Sequence, residues 1–171
     1  MVPLDREGGV FCQTYISDEV LPEAVIPGRK GDHTLCSAIL YLISGACFSR
    51  MHRLPTEEIF HFYLGDPVAL FLIPPQGPPR TVLLGQDVLS GMEGQFVVPA
   101  GWWQGSRLLD GGQWAFLGTT MAPAYTDADY TDADADALCR AYPDFAREIR
   151  LLTAPPQFPE TSPANMGPSR L

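Results

Sequence analysis

Nine short runs of Val, Ile, Leu, Phe, Tyr and Trp succeed one another between about residues 9 and 123, with no helical stretch between them. They cover 9–17, 34–43, 48–52, 58–64, 68–73, 81–84, 95–98, 102–109 and 113–121. Such residues favour half-buried pleated backbone, and each run ends at Gly, Pro or Asp. The connections carry strong turn chemistry: Leu64-Gly65-Asp66-Pro67, the Pro-rich 74–79, Pro99-Ala100-Gly101 and Asp110-Gly111-Gly112. Short strands at near-regular spacing fold as a sandwich or barrel, because each buries one face and none has a crossover helix. The fold class expected is therefore all-β.

The pattern changes after the last run. From about residue 127 to 153 the sequence reads as helix. Asp132, Asp134 and Asp136 suit a helix N-terminus, and Leu138, Ala141, Phe145, Ile149 and Leu152 follow at three- and four-residue steps. Pro143 cannot donate within a helix, so it divides this stretch into two short helices. Residues 1–153 are read as one domain, with the barrel at about 9–123. The Pro-rich 154–171 is read as an extended or disordered tail.

Composition narrows the partners. A net charge of -9 repels phosphate backbones and anionic headgroups, so neither nucleic acid nor membrane is expected. The apolar run near residues 35–48 is too short to span a bilayer, which takes about 20 residues. Cys12, Cys36, Cys47 and Cys139 form no Cys-x-x-Cys pair, which argues against a zinc ribbon or redox dithiol. Residues Asp5, Arg6 and Glu7 interrupt any secretory signal. A cytoplasmic location is expected.

Two stretches carry the chemistry. One runs Ser49-Arg50-Met51-His52-Arg53-Leu54, then Glu57-Glu58-Ile59-Phe60-His61-Phe62-Tyr63-Leu64-Gly65-Asp66-Pro67. The other is Val98-Pro99-Ala100-Gly101-Trp102-Trp103-Gln104. These resemble the two motifs of the cupins. With Gly8–Tyr15 before them, and Tyr142-Pro143 through Leu152-Thr153 after, the chain resembles the cupin family 5 proteins over about residues 8–153. Departures are Phe60, where the family usually has Trp, and Ala124-Tyr125, where it tends to Gly-Phe. The resemblance implies a double-stranded β-helix, the jelly-roll cupin barrel, with short C-terminal helices. It also implies a homodimer and a small-molecule cavity at the wider end, lined around His52, Glu58 and Gln104.

Where cupins of this type carry metal ligands, Leu54 and Gln104 replace two of the histidines. No cofactor is expected; any divalent metal would be weakly held by His52, Glu58 and Gln104. Without one, His52 beside Glu58 is an acid–base pair suited to abstracting a proton next to a carbonyl. If His52 points inward, strict alternation sends Phe48, Arg50 and Leu54 inward too, with Glu58, Phe60 and Phe62 facing them and His61 and Tyr63 outward. Arg50, or Arg107, would clamp a carboxylate or phosphate, and Phe60, Phe62, Trp102 and Gln104 would contact the ligand. Tyr41, Tyr15 or Tyr63 would supply a proton on the opposite face, and Tyr41 is the one carried forward as catalytic.

The function expected is a metal-independent isomerase, epimerase or lyase. The alternatives are a binding protein without turnover, or a metal-dependent dioxygenase or lyase with a His/Glu/Gln shell. The same residues also admit plain structural roles. A His–Glu pair can be a satisfied core contact, Gln104 can close the barrel, and the aromatics can be filler. His33, in a Gly31-Asp32-His33 turn, is expected to be solvated.

Overall fold

The structure is a computed structural model and describes residues 1–26, 31–45 and 47–158. Its strands in chain order are β1 (Val2–Pro3), β2 (Val10–Ile16), β3 (Val20–Leu21), β4 (His33–Thr34), β5 (Ser37–Ser44), β6 (Phe48–Arg53) and β7 (Glu58–Gly65). There follow β8 (Val68–Ile73), β9 (Arg80–Leu84), β10 (Gln95–Val98), β11 (Trp103–Leu108), β12 (Trp114–Met121) and β13 (Thr131–Asp132). Two helices close the order, α1 (Ala135–Ala141) and α2 (Ala146–Leu152). All nine long runs of the sequence are strands. The two-residue β1, β3, β4 and β13 were not legible, since two residues show no periodicity.

Six strands pair in the order β1-β2-β5-β12-β7-β10, five in the order β13-β6-β11-β8-β9, and β3 with β4. Every strand pairing within these sheets is antiparallel. Side-chain alternation puts Ala115, Leu117, Thr119 and Met121 of β12 on the inner face. The core between the sheets packs Ile43, Phe60, Phe62, Leu70, Leu84 and Leu117 together. All six residues of β8 are buried, because its second face lies under the helices. Phe71 and Ile73 pack there against Leu138, Ile149 and Leu152. A strand covered on both faces has no reason to alternate in sequence.

The helices fit the expectation of a break at Pro143, which opens a short 3-10 turn at Pro143–Phe145. Asp134 caps α1 by accepting the Ala137 N–H at 3.0 Å, and Asp136 lies in its first turn. Asp132 does not join them: it belongs to β13, paired with His52. Of the Pro-rich tail, residues 159–171 lie outside the described residues. Gln157, before them, accepts the Gly9 N–H at 3.0 Å.

Two further expectations are corrected. In β6 the pairing with β11 slips between Gln104 and Ser106, whose partners are His52 and Ser49. Three steps on β6 oppose two on β11, so a bulge at Arg50-Met51 inverts the phase. Phe48 accordingly faces the helices with Met51, while Ser49 shares the inner side with His52. His33 is not solvated but 2% exposed. Its Nδ1 meets the Gly31 carbonyl and its Nε2 meets Asp129, both at 3.0 Å, because β4 is covered by the segment after β12. The Ala124 N–H, donated to the Thr34 carbonyl at 2.9 Å, ties that segment down.

Candidate functional site

Three strands from the two facing sheets bring three polar side chains together in the interior. His52 of β6 is paired opposite Gln104 of β11, and Glu58 opens β7. Their exposures are 1%, 1% and 7%. A backbone carbonyl can only accept, so the 2.7 Å contact from His52 Nδ1 to the Arg50 carbonyl puts the ring proton on Nδ1. His52 Nε2 is then an acceptor and receives the Gln104 amide at 3.2 Å. The same amide nitrogen donates to Glu58 Oε2 at 2.7 Å. Gln104 thus joins a neutral imidazole to a carboxyl group.

Electrostatics agree with this assignment. Burial lowers the His52 pKa, against the smaller opposing pull of Glu58 and the Arg50 carbonyl. Burial raises the Glu58 carboxyl, and so does the charge of Glu7; His52, the Thr119 hydroxyl and the Gln104 amide oppose this. The Tyr130 ring stacks on His52 with centroids 4.7 Å apart, and Arg6 lies 4.2 Å from the Tyr130 centroid.

Glu7 was not visible to sequence reasoning. It lies before β2, and its Oε1 accepts the Ser49 hydroxyl and stands 3.7 Å from His52 Nδ1. Burial pushes its pKa up to about 7, with the Ser49 hydroxyl pulling weakly the other way. The only hint was the Gly8-Gly9 pair that follows. Gly8 has φ +106, and a Cβ there would collide with the Phe48 carbonyl. The glycine lets the chain press against β6 and delivers Glu7 to the histidine.

A cavity of about 790 Å³ opens over this group. Its wall includes His52, Glu58, Glu7, Thr119, Leu54, Met121, Phe11 and Ile39, with Tyr125, Asp127 and residues 1–6 nearer the mouth. The other sequence candidates are placed as follows. Tyr41 is buried, and its hydroxyl donates to the Gly8 carbonyl at 2.8 Å. Burial raises its pKa well above the usual value, with the Glu7 charge a lesser cause. Arg50 turns to the Arg6 carbonyl at 3.2 Å and to Asp132 at 3.5 Å. Phe60 and Phe62 lie in the inter-sheet core, with Trp102 packed against it beneath Arg80. None of these five residues, nor Gln104, is among those lining the cavity. Arg107 bonds Glu148 of α2 at 2.8 Å, and Tyr15 and Tyr63 are exposed on the outer side.

The donor set of the site is a poor one for a metal ion. Among the described residues no group of three or more His, Cys, Asp or Glu is placed to hold an ion. Both ring nitrogens of His52 already have protein partners. Catalytic first-row metals generally take three His, carboxylate or Cys ligands, so this donor set does not fit one.

Two facing antiparallel β-sheets with a polar site at one end are the architecture of the cupins, and this chain is one of them. It belongs to the Cupin superfamily (DUF985) family, whose profile matches residues 2–133. A crystal structure of a Shewanella oneidensis protein is similar at 29% identity and TM-score 0.74, covering 87% of this chain and 89% of that one. A hypothetical protein from Leishmania major has 22% identity and TM-score 0.75, covering 91% and 93%. A cupin 2 domain-containing protein from Halorhodospira halophila has 13% identity and TM-score 0.55, covering 84% and 83%. The last two likenesses speak to the fold alone. Comparison with curated proteins gave no significant match.

Proposed function

We propose that this cupin binds a small oxygenated metabolite and moves a proton on it, as an isomerase, epimerase or lyase, without a metal. The observation that carries the reading is the floor of the cavity. Two carboxyl groups, Glu58 and Glu7, flank one neutral imidazole, and burial holds the Glu7 pKa at about 7. A carboxyl poised near neutrality can both take and return a proton. Glu58, reached from the cavity and steadied by Gln104 and Thr119, is the group we assign to proton abstraction. Glu7 is the group that returns the proton, and His52 stands between the two, 3.7 Å from Glu7 and joined to Glu58 through Gln104.

Incubation in D2O with sugars, hydroxy acids, keto acids and amino acids, followed by proton NMR, tests this. One compound class should lose a C–H signal, and Glu58→Gln should slow that exchange by about 100-fold or more. A second reading, binding without turnover, is favoured by the capping of both His52 nitrogens. A compound that binds but never exchanges would establish it. Protein purified without an affinity tag should carry well under one equivalent of any divalent metal. A stoichiometric ion would revive the metal-dependent alternative.

The protomer is also proposed to pair with a second copy through the outer face of the six-stranded sheet. Across β1, β2, β5, β7, β10 and β12 the only charged residue is Glu58, which points inward. The outer face exposes Tyr15, Tyr63, Val97 and Trp114, whereas helices cover the other sheet. An uncharged face of this extent suits self-association. Sedimentation should show a dimer, and Val97→Glu should shift it toward monomer.

A further inference from the structure

The sequence offers two arginines as clamps for an anionic ligand, and the structure has used them elsewhere. Arg107 is bound to Glu148 under α2, and Arg50 turns to Asp132 and the Arg6 carbonyl. Arg6, the one arginine on the cavity wall among the described residues, is held by Asp132 at 2.8 Å and lies over Tyr130. Against it the wall carries four acidic side chains, Asp5, Glu7, Glu58 and Asp127.

Among the described residues the innermost carboxyl has no counter-cation. Glu58 is more than nine-tenths buried, and the partners found for it are neutral, the Gln104 amide and the Thr119 hydroxyl. No ion pair to Glu58 occurs among the described residues, and the nearest ring, His52, is neutral. Glu7 likewise meets a hydroxyl, that of Ser49. Carboxylates taken out of water without a cation are costly, and a cation arriving with the ligand would remove that cost. An anionic ligand would add like charge to the same floor.

We infer that the molecule this cavity takes is an organic cation, an oxygenated metabolite bearing an amino or quaternary ammonium group that docks between Glu58 and Glu7. Its hydrocarbon part would lie along Phe11, Ile39, Leu54 and Met121. The inference rests on the reading that the cavity holds a small molecule, and it is independent of turnover.

A matched trio of probes separates charge from shape: n-hexylammonium, hexanoate and 1-hexanol, titrated calorimetrically at pH 8 and physiological salt, where exposed acids are screened. The ammonium should bind at least about tenfold more tightly than hexanoate, with hexanol between them. Glu7→Gln, alone and combined with Glu58→Gln, should weaken the ammonium about tenfold or more while leaving hexanol unchanged. Should the double variant fail to fold, Glu7→Gln alone decides. Hexanoate binding as tightly as hexylammonium would overturn the inference, as would ammonium binding indifferent to these substitutions. If none of the three binds at millimolar concentration, the small-molecule reading falls as well. An ammonium preference with no hydrogen exchange in D2O would remove only the turnover.

Discussion

Along three strands of the larger sheet, the inner face changes character over four residues. β7 runs from Glu58 to Phe62, β12 from Leu117 and Ala115 back to Thr119 and Met121, and β5 from Tyr41 and Ile43 back to Ser37 and Ile39. At the apolar end the inner side chains interlock, with Val68, Leu70, Leu84, Ala115 and Leu117 all fully buried. At the polar end β6 adds His52, β11 adds Gln104, and the space above stays open as the cavity. Antiparallel hydrogen-bonded ladders serve both ends. The difference lies in what each end does with desolvation. The packed end gains from excluding water, whereas the polar end holds carboxyls in a setting that disfavours their charged form. Stability should therefore come from one end and ligand chemistry from the other.

The largest effect expected is at the packed end. Leu70→Ala, at a fully buried site, should lower unfolding free energy by about 2–5 kcal/mol, read from the urea midpoint at unchanged slope. Hexylammonium binding to the folded variant should stay as it was. A large change in affinity would show that the two ends are not separable.

The next effect has the opposite sign and depends on pH. Folding raises the Glu7 carboxyl from 4.5 to about 7, so on raising pH the unfolded chain releases this proton first. The folded state then loses stability between about pH 4.5 and 7, and the loss is complete above that range. Glu7→Gln should leave stability unchanged at pH 4 and increase it at pH 8, by on the order of 3 kcal/mol. His52, Glu58 and the Ser49 hydroxyl face the same group, and Glu58, also raised, bends the profile the same way. Urea midpoints at pH 4, 6 and 8 decide this, and an equal gap at every pH would contradict it.

Tyr41→Phe should cost least, about 1 kcal/mol for the lost bond to the Gly8 carbonyl. It tests the link between the ends, because Tyr41 belongs to the packed core yet anchors the segment that carries Glu7. Hydrogen exchange should quicken at Gly8 and Gly9 and remain slow in β8. Uniform quickening would assign Tyr41 to the core alone.

Reading the sequence succeeded where information is local. The β8 and β10 runs match the observed strands end to end, and the helix break falls at Pro143. His52, Glu58 and Gln104 could be singled out because they lie in ordered motifs, and in the structure they form one hydrogen-bonded group. Arg50 and Phe48 were misplaced because a one-residue bulge in β6 inverts the phase, and neither β6 nor β11 advertises it. Glu7 was invisible for a different reason. It sits in a loop beside two glycines, and its neighbour Ser49 is 42 residues away along the chain.

The sequence alone determined the strand runs, their turns and the loss of two imidazoles from the motif positions, since each is written in adjacent residues. Only the tertiary structure decided which acids share the cavity and which arginines are already paired. Those facts depend on contacts between distant segments, and pairing a charge across the fold is a matter of ångströms that no spacing in the chain specifies.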